Sequence, residues 1–339
     1  MAFKEVAAEF PKGPCKIALI GECPGEDEAL AGRPFVGNSG EMLNKLLRRV
    51  GIDRSACLVT NIFNERPINN EVERFFIGVK AAKAINYSPL EPRHTMGFVH
   101  PNYKHHLERL RSEILAASPA LLVAIGGVAL YGLAHLSGIM KYRGTPVQGV
   151  LTPHKVLPTI HPAAAFDKWD YWPIIEADLR KAKREAEFKE IKRVKRTIFV
   201  AESLNDLDSF YASYHSGCSH IAFDVETESS PPRITSYTVA VSPLVALVVN
   251  VDMLGDVSLK YLERWLDKVW ILQNAPYDLT WIAEYGIKPP LVEDTMLLHH
   301  AWQLELPKSL GFMGSLYTNE VAWKEWREKA KGNYNKDHE

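Results

Sequence analysis

The sequence predicts an α/β protein of two parts: a domain built on a largely parallel sheet, then a domain built on a mixed sheet with helices behind it. Three observations predict it. Short apolar runs alternate with helix-like stretches over the first half, a charged tract without Gly or Pro follows, and five strand-like runs then crowd together. A chain of 339 residues is long enough for two such domains, each burying its own core.

In the first half the apolar runs are KIALIG from Lys16, CLVTN from Cys57, LLVAIGG from Leu121 and KVLPTIHP from Lys155, each bounded by Gly, Pro or polar turns. Between them SGEMLNKLLRRVG (39–51) and YKHHLERLRSEILAAS (103–118) repeat apolar residues at three and four, the helical period. Strand and helix in alternation give a parallel sheet, whose ligands bind beyond the carboxyl ends of the strands. The loops after Ile20, Thr60, Ile125 and Ile160 fall there. Residues 174–196, IIEADLRKAKREAEFKEIKRVKR, read as a solvated helix that closes the first domain and leads into the second. TIFVAES, HIAFDVET, TSYTVAVS, LVALVVNV and WILQNA then read as strands close enough for antiparallel pairing, with helical sequence from Ala275 onward. The expected division is residues 1–180, a charged helical linker at 181–197, and residues 198–339.

Apolar content of 46% and charged content of 24% are those of a soluble globular protein. A formal net charge of -1 gives no global basic signature, so any contact with nucleic acid must come from local patches. Cys15, Cys23, Cys57 and Cys218 lack C-x-x-C spacing, which argues against a disulfide framework and for a reducing cytoplasm. The opening MAFKEVAAEFPKGPCK has no apolar core of a signal peptide, and no run approaches the length of a membrane span.

The first candidate site is GECPGEDEALAGRPFVG. Gly21 and Gly25 permit close backbone approach, Pro24 stiffens the turn, Glu22 stands at a strand end where it can orient a water, and Phe35 offers a flat face to a base. Taken alone, the segment fits a nucleotide-phosphate loop or a structural turn as well as it fits a base-holding site. In order along the chain come Gly21-Glu22-Cys23-Pro24-Gly25, Gly32-Arg33-Pro34-Phe35-Val36-Gly37, Thr60-Asn61, Arg66-Pro67 and His161-Pro162. With these five motifs in this order, roughly the first 180 residues resemble the uracil-DNA glycosylase superfamily, family 4 in particular.

The resemblance implies a glycosylase-type α/β/α domain that acts on DNA and hydrolyses the N-glycosidic bond of uracil. It implies that an extrahelical base stacks on Phe35, that the Asn61 amide reads the uracil edge, that His161 donates to O2, and that Glu22 positions the attacking water. Gly21, Pro24, Gly25 and Arg66 fall to loop or DNA contacts, and Phe166 in AAAF after His161 to a wedge that fills the gap left by the flipped base. Two departures from the family stand out. The N-terminal cysteine pair is missing and Glu65 precedes Arg66 in place of a cysteine, so no iron-sulfur cluster is expected. HPAAAFDKW also lacks the family's arginine, offering Ala163 and then Lys168.

The second candidate site is IAFDVETESS. Asp224 and Glu226 stand at i, i+2 on a strand, so both carboxylates face one side and can share a divalent cation, although Asp-x-Glu is also common on exposed strands. Asn274 and Asp278 lie four apart on an expected helix, which puts them on one face. With VEDTMLLHH around Asp294, these segments resemble the DEDD 3′-5′ exonucleases, the proofreading domain of family A DNA polymerases. The resemblance implies a ribonuclease H-like mixed-sheet domain and two-metal hydrolysis with Mg2+ or Mn2+ held by Asp224, Glu226, Asp278 and Asp337. The family's third motif is Tyr-x-x-x-Asp, whereas GNYNKDHE places Tyr334 only three residues before Asp337, and the one-residue difference rotates Tyr334 by about 100° around a helix relative to the expected partner. Asp337 is carried as a metal ligand and Tyr334 as a water-orienting group.

The whole layout resembles the N-terminal part of a phage DNA polymerase, which makes a polymerase domain or subunit an expected partner and the host cytoplasm the expected location. The function expected is uracil excision with 3′-5′ trimming of DNA. The alternative is a non-catalytic, uracil-sensing DNA-binding module of a split or truncated phage polymerase.

Overall fold

The computed structural model describes residues 5–320. The chain divides into two compact units, one comprising the chain up to Lys192 together with the described residues from Gly311 on, the other Arg193–Leu310. No helix among the described residues is long and apolar enough to cross a membrane.

The first unit carries, in chain order, β1 (Ile17–Gly21), β2 (Leu58–Asn61), β3 (Phe76–Ile77), β4 (Phe98–Val99), β5 (Leu121–Ile125), β6 (Val147–Gln148) and β7 (Lys155–Thr159). Its helices are α1 (Glu26–Ala31), α2 (Asn38–Val50), α3 (Val79–Ala84), α4 (Lys104–Ala117), α5 (Gly127–Ala134), α6 (Ile139–Tyr142), α7 (Ala164–Asp167) and α8 (Tyr171–Glu185). The main sheet has the order β2-β1-β5-β7-β6, parallel except for the edge strand β6. All four apolar runs of the first half are its parallel strands, and every residue of β1, β2, β5 and β7 is buried, as a sheet covered on both faces requires. The helix expected over 39–51 forms as α2, whose Met42, Leu43, Leu46, Leu47 and Val50 make one buried stripe. It ends at Gly51, in the left-handed region at φ 68°, where the amide donates to Arg48 O and Leu47 O. The chain leaves β1 toward β2 and leaves β5 toward β7, so the connections diverge between these neighbours and open a crevice at their carboxyl ends.

The charged tract departs from expectation. Its helix runs Tyr171–Glu185 instead of continuing to residue 196, and it is not a solvated linker, because Asp178, Lys181 and Glu185 are buried. Lys155, on β7 and 1% exposed, donates to Glu185 Oε2 at 2.9 Å and to Glu185 O at 2.7 Å. Alternating charge here pairs inside the fold.

The second unit carries β8 (Thr197–Ala201), β9 (His220–Ser229), β10 (Pro232–Ser242), β11 (Val245–Asn250), β12 (Val269–Leu272) and β13 (Val292–Asp294), with α9 (Leu204–Tyr214), α10 (Val251–Leu254), α11 (Ala275–Ala283) and α12 (Thr295–Trp302). The sheet order is β13-β12-β9-β10-β11-β8. Pairs β9–β10 and β10–β11 are antiparallel, while β8–β11, β9–β12 and β12–β13 are parallel, which makes the expected mixed sheet. Its core includes Ile221, Phe223 and Val225 from alternate positions of β9, with Trp270 and Trp265. A last helix, α13 (Leu310–Tyr317), follows, and from Gly311 on it groups with the first unit. Tyr334 and Asp337 lie outside the described residues.

Candidate active site

In the first unit the four strand-end loops bring one set of side chains together. Gly21 pairs with Asn61 across β1 and β2. A Cβ on Gly21 would meet Phe35 Cζ at 2.5 Å and overlap Asn61 Oδ1, so only glycine lets these two groups close over the end of β1. Asn61 is 5% exposed. Arg109 fixes its main chain, donating to Asn61 O at 2.7 Å and Ile62 O at 3.0 Å.

Phe35 is buried and adopts φ 53°, a left-handed conformation that costs a non-glycine residue about 1–3 kcal/mol unless its surroundings impose it. Here they do. Arg54 donates to Pro34 O at 2.6 Å and to Phe35 O at 3.0 Å, and Gly40 packs so tightly beneath that a Cβ would overlap the Phe35 carbonyl. Glu28 ties the same loop to the one after β1, accepting from Gly25 N at 3.0 Å, Val36 N at 3.0 Å and Gly37 N at 2.9 Å. Nothing in the sequence pattern singled out Glu28, Arg54 or Arg109. The signal for Glu28 was its place three residues after Gly25 at a helix start, where a carboxylate reaches back to cap.

His161, after β7, lies near-parallel to Phe35, with ring centroids 6.3 Å apart and planes at 29°. Its Nδ1 accepts from Ala163 N at 3.2 Å, which puts the proton of a neutral imidazole on Nε2. Burial pushes its pKa down to about 4, against a smaller opposing pull from Glu28. At neutral pH it is therefore an uncharged Nε2–H donor. Gly126, at φ 96°, sits against it, and a Cβ there would come within 3.2 Å of His161 Cβ. Glu22 is partly buried, and burial, then the charge of Glu73, raise its pKa to about 7. The arrangement can hold a flat polar ring, present an amide and an imidazole N–H to its edge, and supply a carboxylate beside it.

Pro24 is buried in the loop after β1. Arg66 donates to Asn70 Oδ1 at 3.0 Å and to Glu26 Oε2 at 3.2 Å, a pairing that anchors it at the start of α1. Phe166, in α7, is 57% exposed, and Trp169 just beyond it is 69% exposed and stacked on Trp172.

In the second unit Asp224 and Glu226 project from the exposed face of β9, and a bulge at Thr235 in β10 lies opposite Glu226 and Thr227. β12 pairs with β9 only along His220, Ile221 and Ala222. Beyond that, Asp278 of α11 takes over, its Oδ1 accepting from Val225 N at 3.0 Å, between the two exposed carboxylates. Burial and the neighbouring Asp224 charge raise the Asp278 pKa to about 6, despite the opposing Val225 hydrogen bond. Asn274 corrects the expectation of one shared helical face. It precedes α11 in a left-handed conformation at φ 62°, because Pro276 sets the start of the helix. Asp294 holds that turn, accepting from Asn274 N at 3.1 Å and Ala275 N at 2.9 Å. Oxygen donors of this kind suit Mg2+ or Mn2+, but among the described residues no three carboxylate, imidazole or thiol side chains gather where they could hold one ion.

Residues 199–336 match the 3′-5′ exonuclease family. Low-scoring overlays include Escherichia coli RNase D (TM-score 0.32, 16% identity, 38% of this chain and 34% of that one). The EXO domain of Aedes aegypti Nibbler gives a TM-score of 0.33 at 12% identity, over 38% of this chain and 72% of that one. In the first unit the type-4 uracil-DNA glycosylase of Thermotoga maritima is 33% identical over 150 residues, 44% of this chain and 65% of that protein. That of Saccharolobus solfataricus is 28% identical over 184 residues, 52% of this chain and 74% of that protein. The chain thus spans just under two thirds of the Thermotoga protein's length. Residues 8–192, more than half of the chain, match the uracil DNA glycosylase superfamily, and the chain belongs to that superfamily.

Proposed function

We propose that the first unit excises uracil from DNA by hydrolysing its N-glycosidic bond. The observation that carries the reading is the closure of Phe35, Asn61 and His161 around the end of β1, which Gly21 alone permits. A uracil turned out of the strand would lie against Phe35, with its N3–H and O4 edge on the Asn61 amide, which both donates and accepts. As the bond to the sugar breaks, negative charge gathers on uracil O2. The His161 Nε2–H is uncharged, with Nδ1 accepting from Ala163 N, so it would stabilise that charge without first giving up a proton. Glu22, when ionised, orients water toward the sugar carbon.

The test uses a 5′-labelled oligonucleotide with a single uracil, incubated with the protein in EDTA and then treated with hot alkali. A break at the uracil supports the reading. No break, where a known glycosylase cuts the same strand, would leave a base-sensing module. The expectation of no iron-sulfur cluster rests on the missing N-terminal cysteine pair and on Glu65 before Arg66. Bound iron with visible absorbance in the purified protein would overturn that part.

The second unit is read as a 3′-5′ exonuclease on DNA, because Asp278 docks onto β9 between Asp224 and Glu226. Asp224, Glu226 and Asp278 offer oxygen donors that would be shared between Mg2+ or Mn2+ ions and not gathered on one, and the chemistry such ions supply when bound is to activate water and neutralise phosphate charge. Trimming of a 3′ end that needs added metal and is lost in Asp224→Ala supports it. A DNA polymerase domain as partner and a cytoplasmic location complete the proposal. Pull-down of a polymerase subunit from the source cell's cytoplasmic fraction would test both.

A further inference from the structure

A buried polar network outside the pocket ends on the helix that follows the second unit. Arg143, Asp178 and Lys181 are each 3% exposed or less. Arg143 forms a two-pronged ion pair with Asp178, its Nε to Oδ2 at 3.0 Å, and donates through NH1 to Ser315 Oγ at 3.0 Å. Its guanidinium lies 4.4 Å over the Phe312 ring. Lys181 donates to Ser315 O at 2.6 Å and to Thr318 O, satisfying carbonyls at the carboxyl end of α13. Asn319 adds a bond to Glu185 Oε1 at 2.9 Å.

Asp178 is the hub, because its Oδ2 also accepts from Thr159 Oγ1 at 3.0 Å. Thr159 ends β7 two residues before His161, and its carbonyl accepts from Gly126 N, the residue packed against the His161 ring, at 2.9 Å. A continuous path therefore runs from Ser315 through Arg143, Asp178 and Thr159 to the strand end that carries His161. Removing α13 would strip Lys181 of the Ser315 and Thr318 carbonyls and Arg143 of its hydroxyl, which leaves cationic groups buried without those acceptors.

We propose that residues 311–320 are a latch belonging to the first unit: α13, docked on Arg143 and Lys181, holds the end of β7 and so the position of His161. Ser315, Arg143, Asp178 and Thr159 are positioning residues. The catalytic part of this inference rests on reading His161 as the donor to uracil O2.

The test uses the full chain with Ser315→Lys, which sets a third cation beside Arg143 and Lys181, and with Ser315→Thr, which keeps the hydroxyl. The latch predicts that amides of 156–161 exchange with solvent about tenfold faster in Ser315→Lys while those of 269–272 are unchanged. Uracil excision in EDTA should lose about tenfold in kcat with KM nearly constant, and Ser315→Thr should restore both readouts. If Ser315→Lys does not fold, Ser315→Ala should still speed exchange at 156–161 by about threefold, the effect of one lost hydrogen bond. Faster exchange confined to 311–320, with 156–161 unchanged, would overturn the latch. A wild-type chain without excision activity would sink the reading of His161 and leave the exchange comparison to decide the latch.

Discussion

The two units arrange polar groups in opposite ways. In the first, Asn61 and Phe35 are buried, and the backbone around them is fixed by Glu28, Arg54 and Arg109 before any ligand arrives. In the second, Asp224 and Glu226 stand exposed on β9, while Asp278 is buried and accepts from the Val225 amide. A site that stabilises charge with neutral dipoles gains from being rigid and dry. Carboxylates that are to share a cation repel one another until the ion arrives, so they tolerate solvent and gain less from closure. The Asp278 pKa is raised mainly by burial, and the neighbouring Asp224 charge adds to it.

Exchanging the sites' key groups should produce the largest effects and separate the units cleanly. His161→Ala should lower uracil excision in EDTA by about 10²–10³-fold, the usual consequence of losing one preorganised donor, and leave metal-dependent 3′ trimming intact. Asp224→Ala should do the reverse. Parallel assays on one labelled strand check both, and a variant that disabled both activities would break the comparison. Gly21→Ala belongs with His161→Ala, because its methyl would push Phe35 and Asn61 out of place.

Next in size is Glu28→Ala. It leaves the amides of Gly25, Val36 and Gly37 without their acceptor, at about 1–3 kcal/mol for each that stays buried and unpaired. Urea unfolding should show a stability loss at the upper end of single-substitution effects. A loss below about 0.5 kcal/mol would mean that solvent reaches those amides and that the first site is less closed than its geometry indicates.

The comparison also explains what could be read from the sequence. All four parallel strands were legible because buried strands need unbroken apolar runs, and the candidate pocket residues because five motifs follow in one order along the chain, each alone being ambiguous. Glu28, Arg54 and Arg109 were not, since each acts on main-chain atoms distant in sequence and an acidic or basic residue near a helix start has many uses. Asn274 was misplaced by one conformational step, its left-handed turn being set by Pro276 and Asp294 and not by helical spacing. The tract around Asp178 and Lys181 read as solvated because charge density alone does not reveal that partners such as Arg143 and Ser315 meet it inside the fold.

Smaller still is the pH dependence. If the Glu22 carboxylate orients water, kcat/KM for excision should rise with pH up to about 7 and then level off, while His161 stays neutral throughout that range. Stability should run the other way. The raised pKa means that the folded state binds the Glu22 proton more tightly than the unfolded state, so its contribution is present at acid pH and lost as pH rises through about 7. Glu22→Gln should flatten both profiles. A profile that keeps its slope in that variant would assign the titration to another group.

The smallest effect expected is that of Phe166→Ala. At 57% exposed the ring contributes little to the core, and the variant should unfold within about 0.5 kcal/mol of the parent. Its effect should lie in substrate choice. A wedge offsets the unstacking of a base from a duplex and has nothing to replace in a single strand, so excision from double-stranded DNA should fall a few-fold, with single-stranded excision unchanged. Equal losses on both substrates would make Phe166 a general contact. No loss on either would move the wedge to Trp169, the more exposed ring on the same stretch of chain, and Trp169→Ala on the two substrates would then show the split.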